Sequence, residues 1–549
     1  MNSPAIARAV VEELLAAGVA DVVVCPGSRS APLTLTLADT ECRGLVRLHV
    51  RIDERSGAYL ALGIAKVSGR PVAVVTTSGT AAVNMHPAIV EAAYSGIPLV
   101  AVTADRPGEM RGSGANQTID QRALYGNDVV TWADLEGLSE SALRSAVAGA
   151  LSLAISQPGP VHLNVPLPEP LVEPGAHAVD DVTTRKQADA PTPTGALLST
   201  LLPAGIDASR GLLIAGDFDD EPARQAAAAL ANAMGWPVIS EPSGNLSAHD
   251  HALRHGPLVL ASPFAEGHVA EVVVTVGRVG LHRSVMRTLR SARAHIAVDV
   301  PPRLGRVDPA RTASVVDAVP VADAAADPAW LADWQRADSA AGDAVAAEMT
   351  GSDLTGAAVA ATVARHASTD DLLVVGASFP VRHVSSYAGA IRARCIGNRG
   401  TSGIDGVMST AWGAALAHDG GTTYALVGDL TAIYDRNGLL AAPGERRPDL
   451  VYVVADNDGG GIFSSLEQGA PAYATDFERV FGTPHGADLA ELLTAPGVAI
   501  ASVTSMDELQ AALESASGGV HVIVARCAAR TDEQQQALAI QQAVNAALK

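Results

Sequence analysis

The stretch TTYALVGDLTAIYDRNGLLAAPGERRPDLVYVVADNDGGGIF (422–463) holds two short, nearly all-apolar runs, TTYALVGD (422–429) and DLVYVVA (449–455), each ending on small and oxygen-bearing residues. Runs apolar on both faces are what a parallel sheet covered by helices requires, because neither face of such a strand meets water. In that kind of sheet the loops leaving the carboxyl ends of neighbouring strands open into one crevice. Asp429 and Asn457, 28 residues apart at two such ends, can therefore converge on a single ligand. A magnesium ion takes about six oxygens in octahedral array, usually one or two protein side chains plus phosphates and water. The Asp429 carboxylate, the Asn457 amide oxygen and the Gly459 carbonyl would leave positions for two phosphate oxygens, with Mn²⁺ as the alternative ion. Gly459, Gly460 and Gly461 let the backbone approach a diphosphate closely, and helix starts after 429 and 461 offer amide groups to an anion.

Read outward, the same alternation fills the chain. The first ~180 residues show strands at 21–25, 45–50, 71–77, 97–104 and 160–166, with helices predicted at 31–40, 54–67, 80–94 and 139–156 and an opening helix from Ser3-Pro4 to Gly18. Residues 170–195, rich in Pro, Thr, Asp and Gly without periodicity, read as a linker. A second alternating unit has strands at 211–218, 236–240, 271–277 and 294–300, and the Ala/Asp-rich stretch near 320–350 reads as a connecting helix and linker. A third unit, from ~354, adds strands at 371–376, 498–503 and 520–525 and a terminal helix at ~532–548. At roughly 150 residues per domain, 549 residues suit three consecutive doubly wound α/β domains, 1–180, 195–340 and 352–549.

Composition excludes other classes. Lys+Arg 38 against Asp+Glu 59 gives a net charge of −21, so the cationic surface that nucleic acid or an anionic membrane would need is missing. Hydrophobic residues at 48 % with aromatics at 3 % fit Ala/Val-rich cores rather than global disorder. The four cysteines, Cys25, Cys42, Cys395 and Cys527, have neither disulfide-framework nor zinc spacing, and Glu12 and Glu13 interrupt the only candidate signal-peptide core. A cytoplasmic protein is expected.

The Gly-Asp-x motif, followed 25–30 residues later by Asn at the end of an apolar strand, resembles the signature of thiamine-diphosphate enzymes, whose pyrimidine-binding, middle and diphosphate-binding domains match the three-part order over essentially the whole chain. Within that superfamily the sequence is most similar to the MenD family of menaquinone biosynthesis. The motifs carrying this are CPGSRSAPL (25–33), DERSGAYLALGIAKVSGRPVAVVTTSGTA (53–81), TADRPGE (103–109), GANQTID (114–120), NRGTSGIDG (398–406), GDL (428–430) with DRNGL (435–439), and GGGIF (459–463). Thiamine enzymes usually read Asn-Asn where this chain has Asp456-Asn457, so Asp456 stays open as the second metal ligand.

The resemblance implies thiamine diphosphate held at Gly428, Asp429, Leu430, Asn457, Gly459, Gly460, Gly461 and Ile462 with Mg²⁺ (or Mn²⁺). It also implies Ile404 under the bend of the cofactor, and Glu54 as the catalytic acid that shares a proton with the cofactor's pyrimidine ring. An apolar surround is expected to favour Glu54's protonated form. The implied substrates, 2-oxoglutarate and isochorismate, carry four carboxylates onto an acidic protein, and arginine grips carboxylates bidentately. Arg29, Arg106, Arg382 and Arg399, with Arg283 a weaker match, are the expected contacts. Ser28, Gln117 and Ser378 add polar contacts, and Ile462, Phe463 and Leu466 an apolar wall. A homodimer or dimer of dimers is implied, each site lying between two chains. Two other readings stay open: a thiamine enzyme of acetolactate-synthase or decarboxylase type, and a noncatalytic nucleotide-binding protein, the latter weakened because no GxGxxG follows an early strand.

Overall fold

A computed structural model describes residues 1–185, 194–300, 304–351 and 354–549. Three all-parallel sheets follow one another along the chain. The first runs β2-β1-β3-β4-β6-β5, with β1 (Asp21–Val24), β2 (Arg47–Val50), β3 (Val72–Thr76), β4 (Leu99–Asp105), β5 (Thr131–Asp134) and β6 (Val161–Pro166). The second runs β11-β10-β9-β7-β8, with β7 (Gly211–Ala215), β8 (Val238–Ser240), β9 (Val272–Val276), β10 (Ala294–Val298) and β11 (Ser314–Val316). The third repeats the order of the first, β13-β12-β14-β15-β17-β16, with β12 (Leu372–Val375), β13 (Arg394–Ile396), β14 (Thr423–Gly428), β15 (Leu450–Asp456), β16 (Val498–Val503) and β17 (Val520–Arg526). The central strands are buried along nearly their whole length, which is why they read as unbroken apolar runs.

Three edge strands, β5, β11 and β13, escape the sequence reading. Each is three or four residues long, and β5 and β13 carry polar or charged side chains among the apolar ones. The single helix expected over 80–94 is two, Thr80–Asn84 and His86–Ser95, because Pro87 supplies no N–H and its ring disfavours a helical residue before it. Part of the expected linker is packed structure: Val179 is buried on the first unit, Asp180 N–H donates to Glu12 (3.0 Å) and Arg43 donates to the Val179 carbonyl (2.5 Å). Its residues 186–193 lie outside the described ones, as does 352, where the third unit was expected to begin. No helix among the described residues is long and apolar enough to cross a membrane.

The first and third units are fused through two helices, Glu54–Ser68 and Val407–Ala417. The first begins with an Asp53 cap on the Arg55 and Ser56 amides (3.0 and 3.3 Å) and ends on left-handed Gly69. The second is buried on nearly all sides. Their backbones touch at glycines: a Cβ on Gly63 would stand 2.0 Å from the Thr410 carbonyl oxygen, and one on Gly413 1.9 Å from that of Leu60. Gly63→Ala is therefore expected to force the helices apart at a cost of ~1–3 kcal/mol, seen as a melting temperature lowered by several degrees.

Candidate active site

The third sheet reverses direction at β12: the chain goes outward to β13 and then returns to β14 and β15 on the other side. Such a switch point leaves a crevice at the carboxyl ends of β12 and β14. A cavity of about 680 Å³, counting its opening to solvent, sits there, within the usual size of small-molecule sites. Its walls include Ser378, Ile404, Gly428, Asp429, Leu430 and Asn457. Gly459, Gly460, Gly461, Ile462 and Phe463 complete one side. Leu466 is half-buried and is not among the residues of that wall. The Gly461–Ser465 segment is a short 3₁₀ turn.

Asp429 is 3 % exposed and fixed by three backbone donors: Leu430 N–H on Oδ1 (2.6 Å), Gly459 N–H on Oδ2 (2.7 Å) and Asn457 N–H on Oδ2 (3.2 Å). Burial pushes its carboxyl above the usual range, opposed by those donors. Asp429, Asp456 and His485 each direct one ligand atom into a cluster whose members lie within 4.8 Å of one another. His485 Nε2 stands 3.5 Å from Asp429 and 3.3 Å from Asp456, and is buried without a hydrogen-bond partner. Two carboxylates around an unsatisfied imidazole nitrogen are a donor set that a divalent cation fits. Asp458, in the left-handed region at φ 61°, positions the histidine loop by accepting the His485 and Gly486 amides (2.9 Å each). The Asn457 side chain lies beside this cluster, its Nδ2 donating to Glu533 (2.6 Å).

The glycines serve the chain's own close approaches. A Cβ on Gly459 (φ 127°) would meet the Gly482 carbonyl at 2.2 Å, and one on Gly460 the Phe481 carbonyl at 2.5 Å, whereas Gly428 faces open space. Ser378 opens the Phe379–Tyr387 helix at φ 72°, an unfavourable conformation for a residue with a Cβ and one that clusters at functional sites. Ile404 reaches the cavity from a loop braced by the first unit, where Tyr59 hydroxyl donates to Asp405 (2.7 Å) and its ring packs on Gly406.

The other expected residues fall into separate groups. Glu54, half-buried in the first turn of its helix, accepts from Asn84 (3.4 Å) and is not on the wall of this cavity. Around it the apolar surface is open, with Ile52 84 % and Val83 41 % exposed. At the carboxyl ends of β1 and β4, Arg106 donates to the Gln117 carbonyl (2.6 Å) and to Ser78, while Gln117 (φ 56°) donates back to the Ser78 carbonyl (3.0 Å). Buried Arg29 beside them donates to the Leu167 carbonyl (2.9 Å), and Ser28 is exposed. Burial and the Arg29 charge push the Arg106 guanidinium pKa down, opposed by the nearby Asp105 and Glu169 carboxylates. A second cationic group joins the middle and third units: Arg382, held by the Ser378 carbonyl (2.9 Å), lies with Arg399 against buried Glu241. The middle unit presents His282 here, bonded to Ser385 (3.0 Å) and pushed down to about 3 by burial, while Arg283 one residue on is exposed.

Sequence reasoning missed three residues. Glu533, from the Arg530–Ala547 helix, lines the cavity and accepts from Gly356 N–H (2.5 Å) as well as Asn457. His383 lines the same wall, stacked on Phe379 at 4.8 Å and pushed down to about 4 by burial. His485 completes the carboxylate cluster. None sits in a motif, and only the fold brings them to the 429–461 loops.

Known proteins resemble the chain in the same places. Residues 5–124 match the thiamine pyrophosphate enzyme N-terminal TPP binding domain, and 385–525 the C-terminal one. A 2-succinyl-5-enolpyruvyl-6-hydroxy-3-cyclohexene-1-carboxylate synthase of Thermobifida fusca (strain YX) is 43 % identical over 100 % of both chains. Proteins of the same name from Saccharopolyspora erythraea and Nocardioides sp. are 41 % and 42 % identical, over 94 % and 95 % of each chain. With its two thiamine-pyrophosphate domains and full-length relatives, the chain belongs to the 2-succinyl-5-enolpyruvyl-6-hydroxy-3-cyclohexene-1-carboxylate synthase family of thiamine-diphosphate enzymes.

Proposed function

We propose that this protein decarboxylates 2-oxoglutarate and adds the resulting four-carbon unit to isochorismate, releasing CO₂, as the family's synthase of menaquinone biosynthesis. The observation that carries the reading is the crevice at the third sheet's switch point, where buried Asp429 shares the cavity wall with Asn457 and Gly459 and is fixed by their backbone N–H groups. Asp429, Asn457 and the Gly459 carbonyl would hold Mg²⁺ (or Mn²⁺), with Asp456 the alternative to Asn457. When bound, thiamine diphosphate supplies a thiazolium carbon able to stabilise the carbanion left by CO₂ loss. Ile404, on the cavity wall, would pack against the bound cofactor, and Glu54 would hold a proton for its pyrimidine ring. Arg29 and Arg106, with Ser28 and Gln117, bind carboxylate groups from one side, and Arg382 and Arg399 from the other, with Ser378 between. Phe463 and Ile462 exclude water, and Leu466 extends that apolar side at the rim.

The working unit is a homodimer or a dimer of dimers. Glu54 serves the cavity of a neighbouring chain, a reading supported by its absence from its own chain's cavity wall and by the exposed Ile52, Val83 and Tyr434 around it. A cytoplasmic location belongs to the same proposal, supported by four free cysteines.

The deciding assay follows CO₂ from 2-oxoglutarate, with magnesium and thiamine diphosphate, in the presence and absence of isochorismate. Turnover of 2-oxoglutarate into a coupled product supports the proposal, and turnover of pyruvate alone rejects it. The metal ligands separate in calorimetry: Asn457→Ala is expected to weaken magnesium-dependent cofactor binding by about 10–100-fold, and Asp456→Ala much less. The opposite ranking would move the second ligand to Asp456.

A further inference from the structure

The DRNGL segment (435–439) is not part of the cavity, yet it grips the turn of helix that carries Glu54. Asp435 is fully buried, and its carboxylate accepts from Ser409 N–H (2.8 Å), Ser409 Oγ (3.1 Å) and Ser56 Oγ (3.1 Å). Asn437 donates to Asp53 (2.9 Å), the residue whose other carboxylate oxygen caps the helix. Arg55 donates to the Tyr434 carbonyl (2.8 Å) and lies over the Tyr434 ring, 4.6 Å from its centre. Gly438 is required for the fit, since a Cβ there would meet Ser409 Oγ at 2.5 Å. Residues 53, 55 and 56 are thus each tied to the third unit, and Glu54 between them points away, towards Asn84.

We infer that Asp435, assisted by Asn437, is a positioning residue for Glu54: it fixes the first helical turn so that the Glu54 carboxyl is held in one place without touching substrate itself. The inference rests on the proposed role of Glu54. It is carried by hydrogen-bond geometry, because a buried carboxylate joining two helix N-termini across a domain junction leaves neither free to rotate. Arg436, exposed in the same segment, takes no part in the grip and serves as a control.

The test compares Asp435→Asn, Asn437→Ala, Arg436→Ala and Glu54→Gln in the full-length protein. Amide hydrogen exchange of residues 54–58 is measured by mass spectrometry without cofactor, and kcat and KM with it. Asp435→Asn is expected to lose protection over 54–58 and about 10–100-fold in kcat, with KM nearly unchanged, since a small misplacement of a reacting group costs rate rather than affinity. Asn437→Ala shows the same pattern more weakly, and Arg436→Ala behaves as wild type. Unchanged protection in both Asp435→Asn and Asn437→Ala overturns the grip. So does a kcat loss that merely follows a loss of folded protein, or an equal change in KM and kcat. Full turnover in Glu54→Gln would instead overturn the reading of Glu54, with the exchange data still judging the grip.

Discussion

Glu54→Gln is expected to fold, melt and bind thiamine diphosphate like the wild type while losing about 10²–10⁴-fold in turnover, the range of a positioned acid or base. The substitution keeps the side chain's size and its ability to accept from Asn84, and Glu54 contributes nothing to the core. What it removes is a titratable proton. Steady-state kinetics on 2-oxoglutarate, with calorimetry for cofactor affinity, separates the two effects. A variant decarboxylating at the wild-type rate would take Glu54 out of the mechanism.

Asp429→Asn is expected to fail earlier, at assembly of the site. The Asp429 carboxylate accepts three backbone N–H groups, and an amide would turn an NH₂ towards some of them while removing the charge that would hold the proposed cation. Magnesium-dependent binding of thiamine diphosphate should weaken by about 10²-fold or more, and the cofactor should no longer raise the melting temperature, because stabilisation by a ligand follows its occupancy. The two variants also test where the site lies. If Glu54 of one chain completes the cavity of another, mixing Glu54→Gln with Asp429→Asn chains regenerates one intact site per mixed dimer, about a quarter of wild-type activity at equal mixing. No recovery after subunit exchange would place both residues' work within one chain.

Most of the fold was legible because the core strands of a covered parallel sheet carry no polar side to blur their outline, as at Val72–Thr76 and Leu450–Val454. Edge strands such as Arg394–Ile396 pair on one side only and read as loop. At the site, Asp429 and the glycines could be placed because their spacing follows from strand and turn geometry. Glu533 could not: it reaches Asn457 across 76 residues, from a polar helix whose sequence, RTDEQQQ, signals only a solvent-facing start. The arginines were named together but fall into two sets, one on the first unit and one between the second and third, because residue type shows what a side chain can grip and not which loops share a rim.

The glycine seam between the helices Glu54–Ser68 and Val407–Ala417 carries one more consequence. With backbone against backbone at Gly63 and Gly413, and Tyr59, Met408 and Trp412 packed into one shared core around them, neither helix can slide along the other without a collision, so the two sheets form a single chassis. Any opening of the site would then have to come from its loops and not from one sheet sliding over the other.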